Sequence, residues 1–124
     1  MNIHRAREVG DDWVEVRAEL DRAFRMARHS AKAEENIVFV VHHDDLLGRR
    51  GAGNAMVATG LLSAARTAAI EGSRKGWTAN VVAFDDSVAP ELVQGWAERL
   101  ADDPLGVSGE VIRLGSSHLG KALP

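Results

Sequence analysis

The sequence predicts an α/β domain built on a parallel sheet of three strands. Apolar runs typical of strands alternate with long amphipathic stretches typical of helices, and the connections between them are short. Their order along the chain is α-β-α-β-α-β, an alternation that favours parallel strands joined by crossovers. With 124 residues, the chain has the length of a single domain that spans residues 1–124.

The first helix is predicted to begin after Asp12, because Asp12 and Glu15 form a pattern similar to a capping box. Apolar side chains then recur at spacings of three and four residues, which is the period of one helical face. They are Trp13, Val16, Leu20, Phe24, Ala27 and Ala31. Residues 1–10 are mostly polar and charged, so we expect a flexible or extended end there, as at 116–124.

The first strand is predicted at 37–41, a β-branched run without alternation. Such a run is typical of a strand that is buried on both faces in a parallel sheet. If the three strands lie in chain order, this apolar strand is at an edge, where it needs a cover against association. A polar, glycine-rich loop follows at 42–53.

The remaining elements continue the alternation. A second helix rich in alanine and other small residues is predicted at 55–71, and a second strand at 78–84. Pro90 favours the first turn of a third helix that ends before Pro104. The third strand is predicted at 110–114.

The composition excludes several function classes. The absence of cysteine excludes disulfides, thiolate zinc sites and cysteine nucleophiles. A net charge of −3 provides no general attraction to nucleic acid or to an anionic membrane. No apolar run approaches the roughly 18 residues of a membrane span, and no leader peptide is indicated, so we expect a cytoplasmic protein.

Several motifs occur in an order known from one family. Arg66-Thr-Ala-Ala-Ile-Glu71 precedes Gly76-Trp-Thr-Ala-Asn80-Val-Val, and Ser108-Gly109 opens a final strand that ends at Gly115. Together they resemble the C-terminal half of the short-chain dehydrogenase/reductases, near the 3-oxoacyl carrier-protein reductase branch. The resemblance implies a partial Rossmann-like fold over most of the chain. The nucleotide-binding half of the family has no counterpart in this sequence.

The resemblance also identifies the positions where the family carries its catalytic tyrosine and lysine. Here they fall on Asn54 and Ala58, and the chain contains no tyrosine. An amide does not titrate near neutral pH, so Asn54 cannot act as a general acid. The family's serine falls around residues 41–43, its helix asparagine near Glu19, and Phe84-Asp85 replaces its Pro-Gly step. We therefore expect a catalytically inactive chain without a cofactor or a metal.

In assemblies of this family, the helices that match 13–28 and 55–71 pack against their copies in a four-helix interface, and the segments that match 90–101 and 110–114 make a second contact. The resemblance thus implies a subunit that assembles with itself or with a full-length reductase. The side chains expected at the interface are Trp13, Val16, Leu20, Phe24, Ala58, Leu61, Leu62, Ala65 and Ala69.

Two other segments offer alternative functions. His42, His43, Asp44 and Asp45 follow a strand and could supply new catalytic chemistry or a divalent-metal site. However, adjacent residues in a strand point to opposite faces, so a polar loop is the favoured interpretation.

The second segment is the glycine-rich loop 48–53. Its Arg49 and Arg50 precede a helix N-terminus and could bind a phosphate-bearing ligand such as a carrier-protein or coenzyme A arm, with His42 and His43 nearby in sequence. A flexible loop is again the favoured interpretation, because the spacing matches no phosphate-binding motif.

Overall fold

The computed structural model describes residues 1–116, so the predicted flexible end at 116–124 lies, apart from its first residue, outside the described residues. It confirms an α/β fold whose helices and strands alternate. The strands are β1 (Asn2–Arg5), β2 (Ile37–His42), β3 (Ala79–Phe84) and β4 (Val111–Leu114). The helices are α1 (Trp13–Ala33), α2 (His43–Leu46), α3 (Ala52–Ser73) and α4 (Pro90–Asp102).

Within residues 1–116 the sheet contains four parallel strands in the order β1-β2-β3-β4, so the prediction of three strands was wrong. The additional strand, β1, is part of the polar N-terminal segment and pairs with β2, with Ile3 opposite Val38. Strand β2 is consequently an interior strand, and all six of its residues are buried. Strand β1 therefore supplies the cover that the sequence analysis expected for the apolar edge of β2.

Strand β1 is held by a contact that is distant in sequence. His4 lies in the middle of the strand with 0% exposure, and its Nε2 atom lies 3.0 Å from Oε2 of Glu19 on α1. This polar pair allows a short polar segment to take a buried position, because burial of an imidazole needs a hydrogen-bond partner. A search for apolar periodicity cannot detect such a strand.

Helices α1 and α3 pack on one face of the sheet, and α4 packs on the other. Asp12 caps α1 by accepting a hydrogen bond from the backbone N–H of Val14 at 2.9 Å, as the capping pattern predicts. A methyl group on Gly53 would collide with the carbonyl oxygen of Gly10, so only glycine lets the β1–α1 connection cross the start of α3. No helix in the described part of the chain combines the length and apolar character needed to cross a bilayer.

Candidate functional site

The polar residues that follow β2 and β3 meet at one edge of the sheet. His42 is the last residue of β2 and pairs in register with Phe84, the last residue of β3. The segments that leave these two strands are therefore adjacent, and Nε2 of His42 lies 2.9 Å from Oδ1 of Asp86. Open parallel sheets bind their ligands at the carboxyl ends of their strands, so this edge is the candidate location of a site.

The hydrogen bonds of His42 indicate its tautomer. Its Nδ1 atom accepts a hydrogen bond from the backbone N–H of Asp44 at 3.1 Å, which caps the short helix α2. The proton of a neutral ring is then on Nε2, which donates to the carboxylate of Asp86. The side chain of His42 is only 6% exposed, so Asp86 holds a buried ring in one orientation.

His43 lies against His42 instead of pointing to the opposite face of the sheet. The two rings are stacked with centroids 5.4 Å apart and an interplanar angle of 28°. The rule of alternating faces fails here because β2 ends at His42 and α2 begins at His43. The structure thus corrects the expectation that the two imidazoles do not converge easily.

His43, His42 and Asp44 form a group that we call the His42–His43 cluster. One side-chain ligand atom from each of the three residues lies within 4.8 Å of the others. Nε2 of His43 lies 3.0 Å from Oδ1 of Asp44, but the angles do not allow a hydrogen bond. Within residues 1–116, neither ring nitrogen of His43 has a hydrogen-bond partner, although the residue is only 5% exposed.

Asp45, the fourth residue of the sequence motif, is held apart from this cluster by Arg50. The guanidinium donates two hydrogen bonds of 2.8 Å to the carboxylate of Asp45 and one of 2.8 Å to Glu8. The hydrogen bonds to Asp45 outweigh the effect of burial and raise the pKa of Arg50 above its already high ordinary value. Arg50 is thus a fixed structural cation, which leaves it poorly suited to bind a phosphate.

Arg49 and the start of α3 also have partners within the chain. Arg49 lies 3.3 Å from Oδ1 of Asp44, and its side chain is 59% exposed. The carboxylate of Asp11 accepts a hydrogen bond from the backbone N–H of Gly53 at 3.3 Å and so occupies the positive end of the helix. These contacts disfavour the phosphate-bearing ligand that was the alternative interpretation of the loop at 48–53.

Asn54 and Ala58, which the sequence resemblance aligns with a catalytic tyrosine and lysine, have structural roles in this chain. The Asn54 side chain accepts a hydrogen bond from the Val9 backbone N–H at 2.8 Å and donates to the Arg50 carbonyl oxygen at 3.1 Å, so it joins the β1–α1 connection to α3. Ala58 is 2% exposed and belongs to the core. Neither side chain offers a titratable group.

Sequence reasoning missed a second buried polar group, formed by His4, Glu19 and Arg22, which we call the Glu19 cluster. Glu19 is 3% exposed and accepts hydrogen bonds from Arg22 at 2.8 and 2.9 Å and from the Arg7 backbone N–H at 3.1 Å. Burial raises the pKa of the Glu19 carboxyl, but these hydrogen bonds outweigh it and hold the pKa below its ordinary value. The carboxylate must therefore accept the Nε2 proton of His4, whose pKa is lowered mainly by burial.

The residues expected at the subunit interface divide into two groups. Five are at most 6% exposed and pack in the core between α1, α3 and the sheet, so they cannot contact another chain: Val16, Ala58, Leu61, Leu62 and Ala65. Leu20 and Ala69 are half-buried, whereas Trp13 and Phe24 are 54% and 64% exposed. Met56 and Ile70, which the sequence analysis did not select, are 46% and 74% exposed on α3.

Comparison with solved structures identifies the architecture. A short-chain dehydrogenase from Mycobacterium smegmatis superposes with a TM-score of 0.70 at 19% identity, covering 95% of this chain and 60% of that one. The chain has the fold of the short-chain dehydrogenase/reductases. A short-chain dehydrogenase from Mycobacterium avium gives 0.71 at 20% identity, and 3-hydroxyacyl-CoA dehydrogenase type-2 from the same organism gives 0.67 at 16%. No family model and no curated protein matches the sequence.

The similarity covers a part of each of these enzymes. The chain spans 55% of the M. avium short-chain dehydrogenase and 65% of the M. avium 3-hydroxyacyl-CoA dehydrogenase, so it corresponds to less than two thirds of these structures. The resemblance stated from the sequence motifs is confirmed at the level of the fold.

Proposed function

We propose that this chain is a non-catalytic cytoplasmic subunit that assembles with a second copy of itself through the outer face of α1 and α3. The outer face is the side of these two helices that is turned away from the sheet, and it carries the exposed side chains of Trp13, Phe24, Met56 and Ile70. The observation that carries the proposal is the exposure of these large apolar side chains on one pair of helices.

The absence of reductase activity follows from the chemistry of two positions. Carbonyl reduction in the similar family requires a proton donor and a cation where this chain has Asn54 and Ala58. Both residues are committed to other contacts, since Asn54 joins Val9 to Arg50 and Ala58 is packed in the core. A lysine at position 58 would have to replace a methyl group that is 2% exposed.

The composition of the outer face supports assembly. A single exposed apolar residue is ordinary, but several on one surface are typical of an interface. Between Met56 and Ile70, the exposed or half-buried positions of α3 on this side are small and uncharged except for Arg66: Thr59, Gly60, Ser63, Ala64 and Thr67. Small residues let a second helix approach closely, as Gly60 already does for Leu20 of α1, where an added Cβ would be 3.0 Å from Cδ2.

The length of the two helices is compatible with a dimer interface of ordinary size. Helices of 21 and 22 residues are each about 30 Å long. Two such pairs packed against each other can bury roughly 800 Å² per chain, the area of an ordinary specific interface.

Sedimentation equilibrium tests this proposal. The unmodified chain should be dimeric at tens of micromolar, and Phe24→Glu or Ile70→Glu should shift it to a monomer with an unchanged far-ultraviolet circular dichroism spectrum. Leu105→Glu is the matched control, because Leu105 is 69% exposed but lies beside α4. A monomeric unmodified chain, or a dimer lost only in Leu105→Glu, would overturn the assignment.

Ala65→Arg is not a suitable interface variant, although the sequence stripe suggests it. Ala65 is 1% exposed and packs toward the sheet, so an arginine there should unfold the chain instead of separating subunits.

A full-length reductase, the other partner that the resemblance implies, would bind through the same outer face. Mixing the chain with a full-length reductase of its host distinguishes the two partners. A mixed species that replaces the dimer of this chain favours the reductase, whereas unmixed dimers favour self-assembly.

In either case, the isolated chain should show no thermal shift with NADPH, since a ligand that binds the native state must raise the melting temperature.

A further inference from the structure

We propose that the His42–His43 cluster is a binding site for one divalent transition-metal ion, coordinated by the imidazoles of His42 and His43 and the carboxylate of Asp44. The site lies where β2 ends, at the edge of the sheet where parallel α/β folds bind their ligands. It concerns residues other than those of the outer face and goes beyond the proposed assembly.

The first observation is the state of His43. The residue is 5% exposed, yet neither of its ring nitrogens has a hydrogen-bond partner among the described residues. A buried polar atom without a partner destabilises the folded protein, and native structures rarely keep one without a reason. A metal ion bound to Nε2 supplies the missing partner.

The second observation is the spacing of the ligand atoms. Ligands of a tetrahedral zinc ion lie about 2.0–2.2 Å from the metal and hence about 3.3 Å from one another. Nε2 of His43 is 3.0 Å from Oδ1 of Asp44, and Nδ1 of His42 is 4.0 Å from Oδ2 of the same carboxylate. All three ligand atoms lie within 4.8 Å of one another, so coordination of one ion requires them to move closer together.

The third observation is the orientation of His42. Metal-bound histidines commonly donate their other ring N–H to a carboxylate, which fixes the ring and increases its basicity. His42 has this arrangement, because Nε2 donates to Asp86 at 2.9 Å and Nδ1 keeps its lone pair. That lone pair accepts the backbone N–H of Asp44 at 3.1 Å, and the metal takes the place of this hydrogen bond.

The charges around the cluster allow a cation to enter. Arg49, 3.3 Å from Asp44, has an exposed side chain that can turn into solvent. Arg50 is held by Asp45 and Glu8 and does not contribute its charge to Asp44. Entry of a divalent cation thus displaces one exposed arginine and the hydrogen bond from the Asp44 backbone N–H to His42.

The donor set selects the class of metal. Imidazole nitrogens favour zinc and the neighbouring transition metals, whereas Mg²⁺ and Ca²⁺ prefer sites made of oxygen atoms. Three protein ligands leave one coordination position to water, as in an open zinc site.

The test uses the full chain purified without a histidine tag. Zn²⁺ affinity is measured by competition with a chromophoric chelator, and Co²⁺ is added separately because tetrahedral Co²⁺ absorbs visible light. We expect one ion per chain, displacement of Co²⁺ by Zn²⁺ but not by Mg²⁺, and a loss of affinity of at least about tenfold in His43→Gln. His29→Gln is the matched control, since the side chain of His29 is 68% exposed and lies on α1.

Asp44→Asn provides a second variant that leaves the buried rings in place, and circular dichroism verifies that each variant is folded. Weaker binding in both His43→Gln and Asp44→Asn with unchanged binding in His29→Gln supports the site. Equal affinity in a folded Asp44→Asn and the unmodified chain, or no binding of either metal at tens of micromolar, would overturn it.

Discussion

The Glu19 cluster and the His42–His43 cluster both place an imidazole beside a carboxylate in a buried position, but they differ in where the positive charge comes from. In the Glu19 cluster, the Arg22 guanidinium donates two hydrogen bonds of 2.8 and 2.9 Å to the carboxylate. In the His42–His43 cluster, the nearest guanidinium is the exposed Arg49, 3.3 Å from Asp44, and the ring nitrogens of His43 have no hydrogen-bond partner among residues 1–116. The carboxylate of the first cluster thus has its guanidinium partner within the chain, whereas the second cluster is the one for which we propose a cation from solution.

The largest effect should come from opening the Glu19 cluster. Glu19→Ala leaves His4 buried without its acceptor and removes two hydrogen bonds from Arg22, so the free energy of unfolding should fall by about 3 kcal/mol. Urea denaturation measures this change. A loss within experimental error of zero would show that the cluster does not hold β1 in place.

A smaller effect should come from completing the His42–His43 cluster. At a free Zn²⁺ concentration tenfold above the dissociation constant, binding to the native state should raise the free energy of unfolding by about 1.4 kcal/mol. Thermal denaturation with and without Zn²⁺ measures the increase. The increase should fall to about 0.4 kcal/mol or less in His43→Gln and persist in Glu19→Gln. An increase that persists in His43→Gln and is lost in Glu19→Gln would place the metal at the Glu19 cluster.

The pH dependence of stability distinguishes the buried His4 from an exposed histidine. Because burial lowers its pKa below the ordinary 6.5, the unfolded chain binds a proton more readily than the folded chain as the pH falls through 6.5. Stability should therefore decrease on acidification, by at most about 0.7 kcal/mol between pH 7 and pH 6 for this one group. Urea denaturation at both pH values should show a smaller decrease in His4→Gln, and an identical decrease would contradict the assignment.

The smallest effect should come from an exposed ion pair. Arg25 donates to Asp21 at 2.8 Å one helical turn away on α1, but the two side chains are 78% and 58% exposed. Asp21→Asn should change the free energy of unfolding by less than about 0.5 kcal/mol. Urea denaturation of Asp21→Asn and Glu19→Ala under the same conditions shows how much of the stability loss in Glu19→Ala results from burial of the ion pair. A comparable loss in Asp21→Asn would contradict the view that burial makes the difference.

The sequence predicted the elements whose signals are local. The β-branched run at 37–41, the stripe beginning at Trp13 and the proline at position 90 each became the expected strand or helix. Strand β1 escaped prediction because its burial depends on Glu19, which is distant in sequence. The apolar stripe of a helix likewise does not tell whether it faces the sheet or another chain, and Val16 and Ala65 proved to face the sheet.

The candidate site was predicted in its residues but not in its geometry. His42, His43 and Asp44 were selected because they follow a strand. Their convergence depends on the strand ending at His42, a boundary that a periodic pattern does not define. The role of Asp86 depends on the pairing of β2 with β3, which places the two loops side by side.

The strands lie in the sheet in the same order in which they occur along the chain. Each new strand can therefore add to the edge of the previous one as the polypeptide leaves the ribosome. The face that carries Val38 and Val40 has no helix until α4 has been synthesised. During that interval, the nascent chain exposes the apolar side chains of this face to solvent. A chaperone that binds at this stage would protect the chain from aggregation.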